Sequence, residues 1–413
     1  VVDVMSDVED IEDVYAEMSE AWGERFVATR FDQKSYSAAI NHGVNIASGD
    51  FVVVMSCFAM AVNGNWLNEM MPLMTREDVD IVGARVLDDE NKIIHAGGVF
   101  GITDDVTGLF QGLDITEPGY MERAHCIQQY SSVSSACFGI EKQAFIEAGG
   151  LCENVFSDTR YSVMDLCLTI QQQGKKVIWS PYVTLFQDKK LAEQSNGVAD
   201  YHPLREEVLV EKWSHLFTHD PFYNDNLSLR SHFFAPEVDI QRQWDPRFHD
   251  KTRVVVFPIN GSGSGIYRMI APMQALAERG DVELTWMPFH EFKEQPLLPT
   301  LNELMRLEPD VLYVQQMLSD VTYEFLKQVK AHTQIKIVFS LDDLVTNLPK
   351  MNERKKLVFR DMRSRLRKTL ALCDHTIVST QPLADLCHQY TDNVTVIPNR
   401  LEKQRWLNLA SSE

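Results

Sequence analysis

Glycines spaced as Asn260-Gly-Ser-Gly-Ser-Gly265, directly after the apolar run 253–257, form the clearest chemistry-bearing pattern in the sequence. A glycine loop between a strand and a helix leaves backbone N–H groups free at the helix N-terminus, where the dipole favours an anion or a sugar hydroxyl. A dinucleotide fingerprint would need Gly-x-Gly-x-x-Gly, and neither frame supplies it. From Gly261 and Gly263 the third place is Ile266; from Gly263 and Gly265 it is Arg268. A P-loop fails too, because Ile266 stands five residues after Gly261 and no Gly-Lys-Ser/Thr follows. Two readings stay open, a ligand-contacting loop or a bare tight turn.

Other polar residues carry weaker patterns. Asp342-Asp343 closes the apolar run 335–340 and reads equally as a helix N-cap with a first-turn charge or as a ligand-binding pair. Seven cysteines (Cys57, Cys126, Cys137, Cys152, Cys167, Cys373 and Cys387) include no Cys-x-x-Cys pair. They fit neither a zinc knuckle nor a disulfide framework, so a reducing, cytoplasmic setting is expected. His95 has no second His or Cys at metal spacing and reads as a turn histidine. Met70, Met71 and Met74 read as core filling, and Cys373 and Cys387 as buried thiols.

The chain is 413 residues, 45% hydrophobic and 24% charged, which is globular composition long enough for two or three domains. Lys plus Arg number 39 against 59 Asp plus Glu. A net charge of −20 opposes a phosphate backbone and excludes a general nucleic-acid binder. Residues 1–250 hold 18 basic and 40 acidic side chains, and residues 251–413 hold 21 and 19, so two modules of different character are expected. The longest apolar run, 51–62, is shorter than the roughly 18 to 20 residues that span a bilayer. No transmembrane segment follows. Residue 1 is Val, and 1–4 reads as a strand rather than a targeting segment, which suggests a piece of a longer protein.

These residues must be positioned by alternating strands and helices, the signature of an α/β layer fold. In residues 1–204, strands are expected at 1–4, 51–55, 80–87 and 176–179, with helices at 10–22, 35–47, 66–73, 141–148 and 162–173. The last helix ends at Gly174, a natural helix stop. Residues 205–250 read as a connector packed on the first domain, with a helix at 206–217. Residues 251–413 form a second α/β unit with strands at 253–257, 311–314, 335–340, 375–378 and 394–397. Its strand, glycine loop and helix open it as a Rossmann-like domain.

In the first module, Asn41-x-Gly43-x-x-x-Ala47-x-Gly49-Asp50-Phe51-Val52-Val53 resembles the segment before the metal site in family 2 glycosyltransferases of the GT-A fold. Trp66-Leu67, His95-Ala-Gly-Gly98, Val133-Ser-Ser-Ala-Cys-Phe138, Phe145-x-x-x-Gly149-Gly150, Asp165-Leu-Cys-Leu168 and Asp220-Pro-Phe-Tyr-Asn-Asp-Asn-Leu227 continue the resemblance in order over residues 1–230. It implies a truncated nucleotide-diphospho-sugar transferase-like domain lacking its first strand, in which Asp3 and Ser6 contact the donor nucleotide. It also implies an Asp-x-Asp motif for Mg²⁺ or Mn²⁺, because a hard cation bridging two phosphates demands carboxylate oxygens. Cys57-Phe58-Ala59 stands there instead. Of the base motif Glu-Asp-x-Asp-Leu, only Asp165 remains in Ser162-Val-Met-Asp-Leu166, and the motif's usual Arg and His are Thr169 and Phe186. The first module is thus expected to be degenerate, with no metal unless it is active. Any residual activity would rely on Asp3 and Asp165, or on a shifted set from Asp7, Asp88, Asp89, Asp104 and Asp105.

Residues 252–406 resemble the N-terminal half of a family 4-like GT-B glycosyltransferase. The matching residues are the glycine loop with Tyr267-Arg268, Leu341-Asp342-Asp343-Leu344, Pro349-x-x-Asn352, Cys373-Asp374, Val378-Ser-Thr380 and Val396-Ile-Pro-Asn399. The resemblance implies that Gly263, Gly265, Tyr267, Arg268, Asp342, Asp343 and Asn399 line the acceptor side of a cleft. On that resemblance, the second domain that would hold the nucleotide sugar is expected to be missing from this sequence. The basic helix with Arg354, Lys355, Lys356, Arg360, Arg363, Arg365, Arg367 and Lys368 reads as a solvated face or as a contact for an anionic membrane surface or lipid diphosphate. Together these imply a glycosyltransferase of surface polysaccharide or glycoconjugate assembly, at the inner face of the membrane, using a nucleotide sugar and a glycan or lipid-linked acceptor. The rival expectation is a non-catalytic glycan-binding or scaffolding module.

Overall fold

A computed structural model describes residues 1–6, 10–33, 35–102, 105–153, 156, 159–188, 207–288, 297–346, 361–401 and 406. Asp7 and Asp104, the boundary at residue 204, the Pro349 and Asn352 matches, and Arg354, Lys355, Lys356 and Arg360 lie outside the described residues. The chain divides into Val1–Pro236 and Glu237–Glu413. That boundary falls inside the stretch 205–250 expected as a connector. Leu209, Trp213, Leu216 and Phe217 pack with Phe100 in the first unit, whereas Ile240 and Trp244 are buried in the core of the second.

The first unit carries strands β1 (Val2–Val4), β2 (Thr29–Phe31), β3 (Phe51–Met55), β4 (Ala59–Ala61), β5 (Val79–Leu87), β6 (Ile93–His95), β7 (Gly98–Ile102), β8 (Asp105–Gly108), β9 (Gln128–Gln129), β10 (Cys137–Glu141) and β11 (Lys176–Gln187). Its main sheet runs β3-β10-β5-β11-β4, with β6 on β5 and β9 on β11. β11 is parallel to β5, while β10 is antiparallel to both neighbours, so the sheet is mixed. Every residue of β5 is buried, as expected of a central strand covered on both faces. The helix Trp66–Met74 places Met70 and Met74 against the sheet, which confirms both as core. The helix Glu207–Thr218 is fastened by Phe217, whose ring meets Phe100 edge-on at 5.3 Å. Gly101 permits this approach, since a Cβ there would lie 2.0 Å from the carbonyl oxygen of Phe217.

The second unit is simpler: β12 (Thr252–Phe257), β13 (Val282–Trp286), β14 (Val311–Gln315), β15 (Lys336–Leu341), β16 (His375–Val378) and β17 (Val394–Val396) pair in the order β13-β12-β14-β15-β16-β17. All five pairings are parallel. This is a doubly wound sheet of the kind expected from the strand, glycine loop and helix, and its order reverses at β12 and β14. Of the basic helix, Met362–Leu372 is described. Arg365 there forks onto Asp320 at 2.7 and 2.9 Å and also meets Asp361, while Arg363, Arg367 and Lys368 are exposed.

Candidate functional site

Open parallel sheets bind ligands at the carboxyl ends of their strands, beside the point where strand order reverses. In the second unit that place is the end of β12 and β14. After β12 the chain turns through Asn260 and enters Gly263–Gly265, followed by a π-helical turn at Ile266–Ile270 and the helix Ala271–Glu278. A Cβ on Gly265 would sit 1.8 Å from the carbonyl oxygen of Asn260, so glycine is required by close backbone approach. Gly263, at φ +40°, has open space around it.

The π turn directs Arg268 inward. Arg268 is buried, and its Nη1 donates to the carbonyl of Ile397 and to Asn399 Oδ1 at 3.1 Å, tying the first helix to the end of the last strand. Its Nε is buried without a partner among the described residues. Tyr313 OH donates to the carbonyl of Arg268 at 3.4 Å. Across the strand ends, Gln316 Nε2 donates to Asp342 Oδ1, and Ser379 Oγ donates to the carbonyl of Asp342 at 3.2 Å. Gln316 adopts φ +49°, a left-handed backbone that a non-glycine residue holds only at a cost. Burial, and then the neighbouring charge of Asp343, push the Asp342 carboxyl above the usual carboxylate range. Asp342 is thus a carboxylate held in a polar network rather than a plain helix cap, and Asp343 is exposed beside it. Tyr267 is half-buried on the same turn as Arg268.

The structure therefore groups Arg268, Asp342 and Asn399 at one sheet end as expected, and adds Gln315 and Gln316. Gln315 Oε1 accepts from the backbone N–H of Ile259 at 3.1 Å, bracing the loop before the glycines. The sequence signal for both was present: two glutamines directly after the apolar run 311–314, at the end of a parallel strand where polar residues meet ligands.

In the first unit the expected donor residues lie on β1 and just after it. Asp3, buried in the middle of β1, accepts from the backbone N–H of Ser6 at 2.9 Å and lies 3.7 Å from Arg30 Nε. Arg30 also reaches Glu12 at 2.7 Å. Cys57-Phe58-Ala59 follows β3, with Cys57 exposed and Ala59 buried in β4 opposite Gln187. The Cys57 thiol is shifted upward by loss of solvation, so it keeps its proton at neutral pH. These groups do not fit a hard divalent cation, which needs several oxygen ligands. Among the described residues no three His, Cys, Asp or Glu side chains converge in a metal-binding cluster.

Asp165 lies in the helix Thr159–Gln172 and is buried. Its Oδ1 accepts from Lys212 Nζ and from Trp213 Nε1, both at 2.7 Å, and its Oδ2 accepts from Cys152 Sγ at 3.5 Å. Of the shifted set, Asp88 Oδ1 accepts from the backbone N–H groups of Glu90 and Lys92, a turn-forming role. His95 Nδ1 accepts from the N–H of Gly97 at 3.2 Å, and burial, with Arg160 nearby, lowers its pKa to about 4. It is the neutral turn histidine expected.

No family model matches the chain. It is 31% identical over 209 residues to "Uncharacterized protein y4gI" of Sinorhizobium fredii, covering 49% of this chain and 22% of that protein. It is 26% identical over 203 residues to "O-antigen biosynthesis protein RfbC" of Myxococcus xanthus, covering 47% of this chain and 15% of that protein. The chain thus spans less than a quarter of either curated relative. Among solved structures, GalNAc-T7 with UDP, GalNAc and Mn²⁺ aligns at TM-score 0.37 and 12% identity, covering 55% of this chain and 53% of that one. The mannosyltransferase PcManGT of Pyrobaculum calidifontis with GDP-Man and Mn²⁺ aligns at 0.32 and 13%, covering 52% and 60%.

Proposed function

We propose that this chain is part of a glycosyltransferase that assembles a surface polysaccharide or glycoconjugate, with a degenerate first unit and an acceptor-binding crevice in the second. The similarity to a protein named for O-antigen biosynthesis supports the polysaccharide setting. In the first unit, Cys57 and Ala59 stand where carboxylates are needed, and Asp165 is bound by Lys212 and Trp213, which favours a unit that keeps the scaffold without turning over donor. Asp3 and Ser6 remain the residues of that unit that would face a nucleotide. The second unit is read as the N-terminal half of a GT-B enzyme.

One observation carries the reading of the crevice: a buried arginine, Arg268, is held at the switch point together with Asn399, facing a strained Gln316 and a desolvated Asp342. A guanidinium and a carboxamide suit phosphate and hydroxyl groups, and a carboxylate orients a sugar hydroxyl through a hydrogen bond. An acceptor bearing hydroxyls next to a diphosphate matches that set. Titration of the chain with oligosaccharides, inorganic pyrophosphate and nucleoside diphosphates tests it. Pyrophosphate or glycan binding that is weakened in Arg268→Lys and in Asp342→Asn is expected. Tight nucleotide binding unaffected by either substitution would overturn it.

A further inference from the structure

A second cavity, on the first unit, shares no residue with Asp3, Asp165 or the Cys57 segment. It measures about 340 Å³ and is lined by Asn63, Asn65, Glu69, Arg85, Tyr182 and Thr184 among others. An irregularity in the sheet builds it. The pairing of β11 with β5 jumps from Ser180 opposite Ala84 to Thr184 opposite Arg85, so Pro181, Tyr182 and Val183 bulge out of the ladder. Bulges of this kind re-aim side chains and recur beside binding sites. Here Tyr182 is turned outward and left 53% exposed, while Thr184 is brought against Arg85.

Arg85 is 9% exposed, and its Nε and Nη2 rest on Thr184 Oγ1 at 3.3 and 3.1 Å. The Thr184 hydroxyl itself donates to the carbonyl of Pro181 at 2.9 Å. No carboxylate pairs with Arg85 among the described residues, so its buried charge is met there by the Thr184 hydroxyl and by no opposite charge, and burying a charge without one is costly. Nη1 is without a described protein partner. Glu69 stands on the opposite side of the charge balance, so the walls offer one cation, one anion and two carboxamides.

We propose that this cavity is a sugar-binding subsite that takes one pyranose unit of a glycan. Ring hydroxyls both donate and accept, as Arg85, Glu69, Asn63 and Asn65 require together, and Tyr182 supplies an exposed aromatic face for the apolar side of the ring. The volume is at the lower end of small-ligand sites, which suits a single ring. A doubly charged phosphate is the poorer fit, because Glu69 repels it. Binding here stands apart from the reading of the second-unit crevice, since the two sets of residues do not overlap.

Ligand-observed saturation-transfer NMR on the whole chain, with a panel of neutral hexopyranoses, hexuronic acids and short oligosaccharides, tests the subsite; inorganic phosphate serves as competitor. With the second-unit crevice weakened by Arg268→Lys, saturation transfer to the ring protons of at least one sugar is expected to persist, unchanged by phosphate. It should weaken about tenfold in Tyr182→Ala, a substitution at an exposed position that leaves folding intact. Arg85→Lys should weaken it as well. Absence of transfer from the whole panel, transfer that Tyr182→Ala leaves unchanged, or displacement by phosphate would each overturn the proposal, the last by showing an anion site.

Discussion

A single buried carboxylate shows how far a residue type can be from a role. Asp165 has the position of a catalytic group in the first-unit resemblance, yet its Oδ1 is shared by Lys212 and the indole N–H of the fully buried Trp213. Removing it leaves that indole donor unsatisfied, which costs about 2 kcal/mol. Asp165→Ala is therefore expected to lower first-unit stability by about that amount in urea unfolding, and to leave nucleotide-sugar turnover at background. Asp342 works in the opposite sense. Burial, then Asp343, raise its folded pKa, so the ionised form opposes folding. The stability it allows is fullest below the unfolded carboxylate range and falls as pH rises through that range toward the raised value. Asp342→Asn should raise the melting temperature of the second unit near neutrality, with no gain at acid pH, while weakening crevice binding. Asp342 and Arg268 were legible in the sequence from their places after a strand and a glycine loop. The Lys212 and Trp213 partnership was not, because it joins side chains 47 and 48 residues away from Asp165 along the chain.

Elements were legible wherever a β-branched run stood alone. β3 was expected at its observed bounds, as was β16, and each parallel strand of the second unit except β13 was placed to within about two residues, the ordinary boundary error. The failures have local causes. β10 carries Gly139 in its middle, which reads as a break; in the structure a Cβ there would lie 2.5 Å from the Met74 sulfur, so the glycine serves helix packing on the sheet. β11 was expected to stop before Pro181, whereas it passes through the bulge and resumes to Gln187. β13 follows Gly280 and does alternate, with Val282, Leu284 and Trp286 apolar against Glu283 and Thr285, so its signal is present in the sequence although the expected strands do not include it. In the glycine loop, Gly265 is demanded by close backbone approach, whereas Gly263 has open space around it. Gly265→Ala is expected to displace Asn260 and cost about 3 kcal/mol, read as a fall in the urea midpoint of the second unit. Gly263→Ala, in open space, should cost less, although its φ of +40° is strained for alanine.

At the scale of the molecule, charge follows the two units. Val1–Pro236 holds 16 basic and 36 acidic side chains, and Glu237–Glu413 holds 23 of each, so the whole net charge of −20 resides on the first. A field of that sign discourages diphosphate groups from approaching the first unit and leaves the neutral second unit as the better host for them. Among the described residues no helix is long and apolar enough to cross a membrane. The proposed division of labour, scaffold and sugar contact in the first unit and acceptor contact in the second, requires that the first unit have no working metal and base set. Nucleotide-sugar hydrolysis by the chain, measured with Mn²⁺ across UDP- and GDP-linked donors, probes that directly. Release of nucleoside diphosphate at the rate of the protein-free blank is predicted. Metal-dependent release well above blank, lost in Asp3→Asn, would contradict it.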